Sequence, residues 1–341
     1  MPHSVTIKEL RNLTRDGASC EALIPAQAES ITLKETAQGK PFYEVNLRDA
    51  TGNLTLRAWS DKAAFSSCQK LTSGDFVQVT GNFSNTGSFG IDAPGWKIEP
   101  LSEEGTMRLL EGSTQQQAAS DANYQLIVTT VESITDPRLK KLCGFFLTQH
   151  GLRFRRAAAA RNNHHARRGG LLDHTAQMMR SAIALLSVYP QLNRDLLIAG
   201  TLFHDSGKLW ETCPPALGFG ILPELRGELM GHLSIGIELV NSLWRELPKE
   251  DWSTLQPSSE QVRLHLLHLI ASHHGQLDYG SPVLPKTPEA IALHLIDNLD
   301  ARIEMFNEAY ARAEEIAPEI FEWVRPLGVS PIAPLEKMTP A

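Results

Sequence analysis

Cysteines are scarce in this sequence, and none is placed for metal or disulfide chemistry. The four cysteines, Cys20, Cys68, Cys143 and Cys213, lie far apart and form no CxxC pair. A zinc ribbon or a disulfide framework needs closely spaced cysteines, so the spacing argues against both. The sequence therefore predicts a protein of a reducing compartment.

Long apolar runs are also missing. No run approaches the roughly 20 residues that a membrane-spanning helix requires. Residues 1–19 are polar and mixed in charge, without the apolar core of a signal peptide. We expect a soluble cytoplasmic protein that has no membrane partner.

A general excess of positive charge is absent as well. The 341 residues carry 32 Lys and Arg against 39 Asp and Glu, which gives a net charge of −7. Proteins that grip nucleic acid over a broad surface are usually basic, so that mode of binding is disfavoured, although a local basic channel is compatible with the total. The length and the 42% hydrophobic content allow two domains with ordinary cores.

Histidine, in contrast, is concentrated in one part of the chain. Eleven of the twelve histidines lie between His150 and His294, and only His3 lies outside that range. Random placement would not give this distribution. Any histidine chemistry is therefore expected in the second half of the chain.

Residues 18–100 have the pattern of a β domain. Apolar residues at 43, 45 and 47 alternate with polar ones, and residues 54–59 repeat the alternation, which is typical of half-buried strands. The turn-forming residues 49–53 predict a hairpin between them. A further strand is expected at 76–81, and another pair flanks the turn at 85–87. Five or so short antiparallel strands predict a small barrel, assigned to residues 1–100.

The sequence changes character after residue 100. Residues 101–123 are rich in Ser, Glu, Gly and Gln and predict a linker with one helical turn around 107–110. Residues 124–329 predict an all-α domain, because apolar residues recur at helical spacing in 171–186, 194–203, 236–247, 262–271 and 289–306. The Pro-rich residues 330–341 predict a disordered tail. The expected fold class is thus α+β, with a five-stranded barrel before an all-α domain.

Five segments of the helical half carry residues that bind divalent metals. Imidazole and carboxylate suit borderline metals such as Mn²⁺, Fe²⁺ and Zn²⁺. A helical bundle can direct such side chains from different helices to one centre, so the ordered set predicts a metal site. In chain order the candidate ligands are His174, His204 with Asp205, His232, His273 with His274, and Asp297.

The His204–Asp205 pair is the most specific of these signals. Adjacent residues on a helix point about 100° apart, so two polar neighbours do not share one apolar face. A metal at the end of the apolar run 196–203 would explain the pair. Lys208 follows closely and is suited to contact a phosphate oxygen. Lone histidines are more often structural, and we predict that role for three others, His265, His268 and His294.

Short motifs extend this pattern over nearly the whole chain. The helical half contains HHA at 164–166, GGLLDHT at 169–175, SHHG at 272–275, TPEA at 287–290 and HLIDNLDA at 294–301. The β half contains GKPFY at 39–43, LRD at 47–49 and AW at 58–59. Together they resemble the HD superfamily of metal-dependent phosphohydrolases and, more narrowly, the YhaM family of 3′→5′ exoribonucleases. The resemblance implies an N-terminal OB-fold domain and an HD-type helical domain.

The resemblance also implies roles for the matching positions. It places one divalent ion on His174, His204, Asp205 and Asp297. It places a second ion on His232 and His273, with Asp205 bridging the two ions. His274 is left as either a ligand or a substrate contact, and Lys208 would contact the scissile phosphate. Two such cations lower the pKa of a shared water molecule and stabilise charge on phosphoryl oxygens.

Some features of this site stay open at the level of sequence. Imidazole-rich donors favour Mn²⁺, with Fe²⁺, Co²⁺ and Mg²⁺ as alternatives, and one ion or two cannot be decided from spacing. Asp173 and Asp300 are each either a partner that orients an imidazole or an exposed helical carboxylate. The oligomeric state is open, and a homo-oligomer is one possibility.

A basic segment leads directly into His174. Residues 153–168 contain six arginines and no acid, which predicts a channel that tracks phosphates beside the metals. The alternative is a solvated helical face. The arginines are Arg153, Arg155, Arg156, Arg161, Arg167 and Arg168, and the candidate RNA contacts among this group and its neighbours are Arg161, His164, His165, Arg167 and Arg168.

The β half offers a second candidate surface for RNA. Alternation places Trp59, Arg57 and Arg48 on the outer face of the predicted hairpin, where a tryptophan beside two arginines suits base stacking. The alternative is that Trp59 packs under a loop. Residues 1–100 hold ten basic and eleven acidic residues, so this domain is not basic.

Three functions are consistent with these features. The first is an exonuclease that releases nucleoside monophosphates from single-stranded RNA, with single-stranded DNA as an additional substrate. The second is a phosphohydrolase of small nucleotides whose OB domain serves assembly or regulation. The third is a binding protein with an inactive metal site, which the intact ligand set argues against. The arginine cluster and the family resemblance favour the first.

Overall fold

The computed structural model describes residues 3–15, 17–86, 90–161, 165–247, 252–335 and 338, with only the backbone of Arg312. Two compact units divide the chain. The first comprises Met1–Ala119 and Pro214–Leu222, and the second comprises Ser120–Cys213 and Pro223–Ala341. No helix of the described residues is both long enough and apolar enough to cross a membrane.

The first unit is built on an antiparallel sheet with one parallel addition. Its strands run in the order β4-β3-β2-β5, β6 and β7 both pair with β5, and the short β1 pairs in parallel with β2. The strands are β1 (His3–Ser4), β2 (Ser19–Glu35), β3 (Pro41–Arg48), β4 (Asn53–Trp59), β5 (Phe76–Asn85), β6 (Ile91–Asp92) and β7 (Lys97–Pro100). Three helices accompany them: α1 (Ile7–Leu13), α2 (Ala63–Cys68) and α3 (Glu103–Glu111).

Strand β2 organises the sheet because it is long enough to serve two partners. Its first half pairs with β5 and its second half pairs with β3, and the register shifts between Ala28 and Ser30. The predicted hairpin is confirmed as β3 and β4, and its inward side chains, among them Val45 and Leu56, join the core. No strand pairing among the described residues joins β4 to the opposite edge. The sheet is therefore established, while a closed five-stranded barrel is not.

The second unit is almost entirely helical, as the spacing of apolar residues predicts. Its helices are α4 (Thr114–Glu132), α5 (Pro137–Phe154), α6 (Gly170–Val188), α7 (Arg194–Phe203), α8 (Lys208–Glu211), α9 (Leu225–Glu246), α10 (Ser259–Ser272) and α11 (Pro288–Arg312). Side chains explain where several helices begin. Asp136 and Asn193 cap α5 and α7, Ser258 forms a capping box on α10, and Thr287 caps α11 before a proline at its first position.

Two regions are more ordered than their composition predicts. The linker expected at 101–123 contains α3 and the first half of α4, because Ser102 caps α3 and the later part of α4 packs Ile127 and Val131 into the core. The tail expected at 330–341 begins as structured chain. Ile332 pairs with Ile320 near the short hairpin of β8 (Glu315–Ala317) and β9 (Ile320–Phe321), and Tyr310 Oη donates to the carbonyl of Ile332.

Candidate metal centre

Most of the candidate ligands lie at helix ends or breaks, where the backbone can present them inward, and two lie within helices. His174 lies in the second turn of α6, and His204 and Asp205 directly follow the last residue of α7. His232 directly follows Gly231, whose φ of 67° interrupts α9. The remaining candidates are His273 and His274 at the end of α10 and Asp297 in α11.

This arrangement requires the backbone at Gly207 to lie very close to the backbone at His232. A Cβ on Gly207 would lie 1.9 Å from the carbonyl oxygen of His232. The glycine that follows the His204–Asp205 pair is thus required for α9 to bring His232 near Asp205.

Five imidazoles direct their Nε2 atoms to a common region. The Nε2 atoms of His174 and His204 are 3.2 Å apart, and those of His232 and His274 are 3.1 Å apart. His273 lies between these pairs, because its ring contacts those of His204 and His274 with centroids 5.1 and 4.4 Å apart. The sequence-predicted ligands are therefore brought together.

The other nitrogen of each ring is engaged with an oxygen acceptor. An acceptor at Nδ1 fixes the proton there and leaves the Nε2 lone pair directed inward, which is the form that binds a metal. The acceptor is a carboxylate for two of the rings and a backbone carbonyl for the other three. The pairs are His174 with Asp300 at 2.7 Å, His232 with Glu211 at 2.8 Å, His204 with the carbonyl of Thr201 at 2.9 Å, His273 with that of Ile270 at 2.8 Å, and His274 with that of Tyr279 at 2.8 Å.

Asp205 lies between the two groups of imidazoles. Its Oδ2 lies 3.2 Å from His204 Nε2 and 3.7 Å from His174 Nε2. Its Oδ1 lies 3.6 Å from His273 Nε2 and 3.7 Å from His232 Nε2. Oδ1 is buried and has no hydrogen-bond partner, which is costly for a carboxylate oxygen unless a cation is bound there. The donor set therefore fits divalent cations.

The charges of the centre also suit cations. Burial raises the pKa of Asp205, but Lys208 and His204 outweigh burial and hold the pKa well below its ordinary value. Burial also raises the pKa of Asp297, but the hydrogen bond with His174 and the nearby imidazoles outweigh burial and lower the pKa. Burial lowers the pKa of His274 to about 4. Both carboxylates are ionised and His274 is neutral at pH 7, as ligands must be.

The pKa of His174 is raised above its ordinary value. Burial lowers its pKa, yet hydrogen bonds to Asp297 and Asp300 outweigh burial and raise the pKa to about 9. Asp297 Oδ1 is 3.4 Å from His174 Nε2, which places this carboxylate in the same group as His204 and Asp205. In the absence of a cation this half of the centre therefore holds a proton.

Lys208 contacts the centre through Asp205. Its Nζ donates to Asp205 Oδ2 at 2.7 Å, and its side chain is largely buried. The ammonium group of Lys208 thus lies beside the His204–Asp205 pair. A phosphate that approaches Asp205 would meet this ammonium group.

Asp300 and Asp173, which the sequence treats alike, have different surroundings. Asp300 Oδ2 accepts hydrogen bonds from both His174 and His165, so it orients an imidazole. Asp173 instead accepts from Asn123 and pairs with Arg167 at 2.6 Å. Asp173 is half-buried, and these partners are an amide and a guanidinium group rather than an imidazole. Two of the three histidines predicted to be structural bond to the backbone. His268 Nε2 accepts the N–H of Lys286, and His294 Nδ1 contacts the carbonyl oxygen of His273.

The prediction that His165 contacts RNA is wrong. Its side chain is 8% exposed, and Nε2 lies 3.1 Å from Asp300 Oδ2 behind the centre. The backbone explains this placement: His165 has a φ of 52°, and Gly170 approaches so closely that a Cβ there would lie 2.0 Å from the carbonyl oxygen of His165. Its neighbour His164 lies outside the described residues. Spacing could not reveal this turn.

Carboxylates pair with much of the arginine segment. Four of its six arginines form ion pairs: Arg153 with Glu224, Arg155 with Asp121, Arg161 with Glu228, and Arg167 with Asp173. Burial and the nearby Arg156 lower the pKa of Arg168. The sequence around 153–168 contains no acid, but the fold brings acids from other segments to it. This local excess of charge is therefore smaller than the sequence predicts.

Trp59 and Arg48 are not neighbours on the β surface. The hairpin register pairs Trp59 with Phe42 and Arg48 with Asn53, so six residues, roughly 20 Å of strand, separate them. Arg48 pairs with Glu29 at 3.0 Å. Trp59 is half-buried, its ring lies 4.9 Å from that of Phe42, and it lines a groove of about 360 Å³ with Thr36, Gln38, Lys40, Asp61 and Lys62. Arg57 lies two residues from Trp59 on the same strand.

Comparisons with known proteins agree with this geometry. The HD domain family model matches residues 171–302, a range that includes all of the candidate ligands. The chain is 31% identical over 289 residues to the 3′-5′ exoribonuclease YhaM of Bacillus subtilis strain 168, which covers 84% of this chain and 86% of the relative. The relative therefore matches across both units and not the HD domain alone. The chain belongs to the YhaM family of HD-domain proteins.

Proposed function

We propose that this chain is a metal-dependent 3′→5′ exoribonuclease that hydrolyses single-stranded RNA to nucleoside 5′-monophosphates. The observation that carries the proposal is the position of Asp205, whose two oxygens face two groups of imidazoles in a member of this family. HD domains are metal-dependent, and the ligand types match that requirement. The direction of degradation is taken from the named relative.

We assign two ions to the centre. The first would be held by His174, His204, Asp205 and Asp297. The second would be held by His232, His273 and His274, with Asp205 Oδ1 shared towards it. Divalent ions bound there would supply activation of a water molecule and stabilisation of charge on the phosphoryl oxygens. Mn²⁺ is the ion that we expect, because Asp205 and Asp297 add the carboxylate oxygens that Mn²⁺ prefers to the imidazole donors, which also suit Fe²⁺.

The side chains around the ions would position the scissile phosphate. Lys208 is the charged donor nearest to Asp205, and its burial preserves the strength of its attraction to a phosphate oxygen. Asp205 would hold both ions at a fixed separation. Asp300 and Glu211 would keep His174 and His232 in the tautomer that binds metal.

We propose RNA contacts on each of the two units, taken separately. We assign an OB-type fold to the β unit and base stacking to Trp59, whose groove also contains Lys40 and Lys62. On the helical unit, Arg161, Arg167 and Arg168 remain candidate phosphate contacts. Arg161 and Arg167 would have to exchange their carboxylate partners for phosphates, which makes their contribution small.

One observation favours a second candidate, a phosphohydrolase of small nucleotides. Carboxylates neutralise four of six arginines in the segment that would track an RNA backbone. Competition separates the two functions. The protein should degrade a 20-residue single-stranded RNA in Mn²⁺ far faster than it hydrolyses nucleoside di- or triphosphates, and excess nucleotide should inhibit weakly. Faster hydrolysis of the nucleotides would establish the second candidate. Single-stranded DNA of equal length tests the choice of sugar.

A further inference from the structure

Glu211 contacts His232 twice through a single oxygen. Glu211 Oε2 accepts the backbone N–H of His232 at 2.7 Å and the ring Nδ1–H at 2.8 Å. Glu211 is the last residue of α8, and His232 is the first residue after the break at Gly231 in α9. The spacing of the sequence motifs does not single out this glutamate.

The backbone contact replaces a bond that the helix has lost. In an unbroken helix, the N–H of His232 would donate to the carbonyl four residues earlier. The positive φ of Gly231 ends that ladder, and the carboxylate of Glu211 takes the N–H instead. Glu211 thus fixes both the start of the second part of α9 and the ring of its first residue.

Rigid packing holds the two partners in register. A Cβ on Gly207 would lie 1.9 Å from the carbonyl oxygen of His232, and one on Gly227 would lie 2.6 Å from that of Trp210. The backbone of α8 and of the residue before it is therefore in close contact with α9 on both sides of the break at Gly231. The ring of His232 has little freedom once Oε2 accepts its Nδ1–H.

The other imidazoles depend less on side chains. His204, His273 and His274 donate to backbone carbonyls that lie three to five residues away, so their own chain segments fix them. His174 has the carboxylate of Asp300, and His232 has that of Glu211. Each group of ligands thus contains one ring that a distant side chain orients.

We propose that Glu211 is the positioning residue of the second ion. It holds His232 Nε2 towards Asp205 Oδ1, at 3.7 Å in the structure, and so completes the group formed with His273 and His274. This inference rests on the proposed two-ion centre. Glu211 itself contacts neither ion nor substrate, and Asp300 has the equivalent role for the first ion.

The test measures the number and affinity of bound ions and does not depend on turnover. Mn²⁺ binding is followed by electron paramagnetic resonance and equilibrium dialysis for the wild-type protein, Glu211→Ala and Glu211→Gln. Glu238→Ala is the matched control, because Glu238 lies on α9, the helix of His232, but pairs with Arg226 and not with a candidate ligand. Thermal unfolding in chelator measures any general loss of stability.

We expect two ions per chain in the wild-type protein and in Glu238→Ala. Glu211→Ala should keep one tight ion and bind the second about 10–100-fold more weakly, the usual effect of removing a residue that orients a ligand. Glu211→Gln should recover most of that affinity, because its amide oxygen can accept both hydrogen bonds. If Glu211→Ala does not fold, Glu211→Gln and His232→Ala still decide: His232→Ala should lose the same ion.

Three outcomes overturn parts of the account separately. Two equally tight ions in Glu211→Ala would overturn the role of Glu211 and leave the two-ion centre intact. A weaker second ion in Glu211→Ala that Glu211→Gln does not restore would also count against hydrogen-bonded positioning. One ion in the wild-type protein would overturn the two-ion proposal and, with it, the assignment of Glu211.

Discussion

The Nε2 atoms of His174 and His204 lie 3.2 Å apart, although the Nδ1 atoms of both rings already contact oxygen acceptors. Two inward lone pairs at this distance repel each other unless a proton or a cation lies between them. The raised pKa of His174 supplies a proton in the metal-free protein. A divalent cation would replace that proton and attract both rings.

Metal binding should therefore stabilise the fold. At 100-fold excess over the dissociation constant, each ion adds about 2.7 kcal/mol to the free energy of unfolding. For a unit of this size the midpoint should rise by roughly 5–10 °C per ion. Differential scanning calorimetry with Mn²⁺ or with chelator measures the shift. Asp205→Ala is the control and should lose most of it, whereas equal midpoints in wild-type protein with and without Mn²⁺ would contradict the assignment.

Lys208 should matter for catalysis more than for metal binding. Lys208→Gln removes a buried ammonium 2.7 Å from Asp205 Oδ2 but leaves every candidate ligand in place. We expect kcat/KM on RNA to fall about 100-fold or more, as with other charged or hydrogen-bonding groups aimed at a reacting centre. Ion stoichiometry should stay unchanged, and Lys208→Arg should restore part of the activity. Loss of an ion in Lys208→Gln would show instead that the lysine serves the metal site.

Trp59 should contribute to the binding of long RNA. Base stacking on an aromatic ring contributes about 1–3 kcal/mol, so Trp59→Ala should weaken binding of a 20-residue RNA by about 5-fold or more. Trp59→Phe retains a ring and should lose less. Fluorescence anisotropy in calcium, at fixed salt, measures binding without turnover. The same affinity in Trp59→Ala and wild-type protein would remove Trp59 from the RNA surface.

Asp136 should give the helical unit a stability that depends on pH. Burial raises the pKa of its carboxyl, but hydrogen bonds from Arg138 and the start of α5 outweigh burial and lower the pKa. Arg138 is fully buried and also donates to the carbonyl of Pro257. Because the folded pKa lies below the unfolded value of about 3.9, the stabilisation is complete above that pH and is lost as pH falls towards the folded pKa.

Asp136→Asn tests this contribution while it keeps a good helix cap. The variant should be less stable at pH 7 by about 1.5–3 kcal/mol, the usual contribution of hydrogen bonds to charged groups. The difference should shrink below about pH 4. Urea unfolding at several pH values measures both quantities, and a difference that grows as pH falls would contradict the sign.

Much of the metal centre could be predicted from sequence because its ligands are carried by local motifs. His204 and Asp205 end an apolar helix that the spacing locates correctly at Arg194–Phe203. The residues that orient the rings could not be predicted in this way, because they lie far in sequence from the rings that they contact. Glu211 reaches His232 over 21 residues, and Asp300 reaches His174 over 126, so only the fold reveals which carboxylates do this.

The surface predictions show the same limit. The arginine segment contains no acid of its own, yet Asp121, Glu224 and Glu228 come from other segments to pair with it. Likewise, alternation places Arg48 and Trp59 on one face, but only strand register shows that they lie at opposite ends of the hairpin. Local pattern predicts elements well, whereas ion pairs and long-range neighbours follow from packing.

The most direct test of the central claim uses single-stranded RNA labelled at its 5′ end, with Mn²⁺ and with Asp205→Ala alongside the wild-type protein. Wild-type protein should give a ladder that shortens from the 3′ end and should release nucleoside 5′-monophosphates. Asp205→Ala, which lacks the carboxylate between the two groups of imidazoles, should leave the RNA intact. Intact RNA with the wild-type protein, or an equal ladder with Asp205→Ala, would contradict the account.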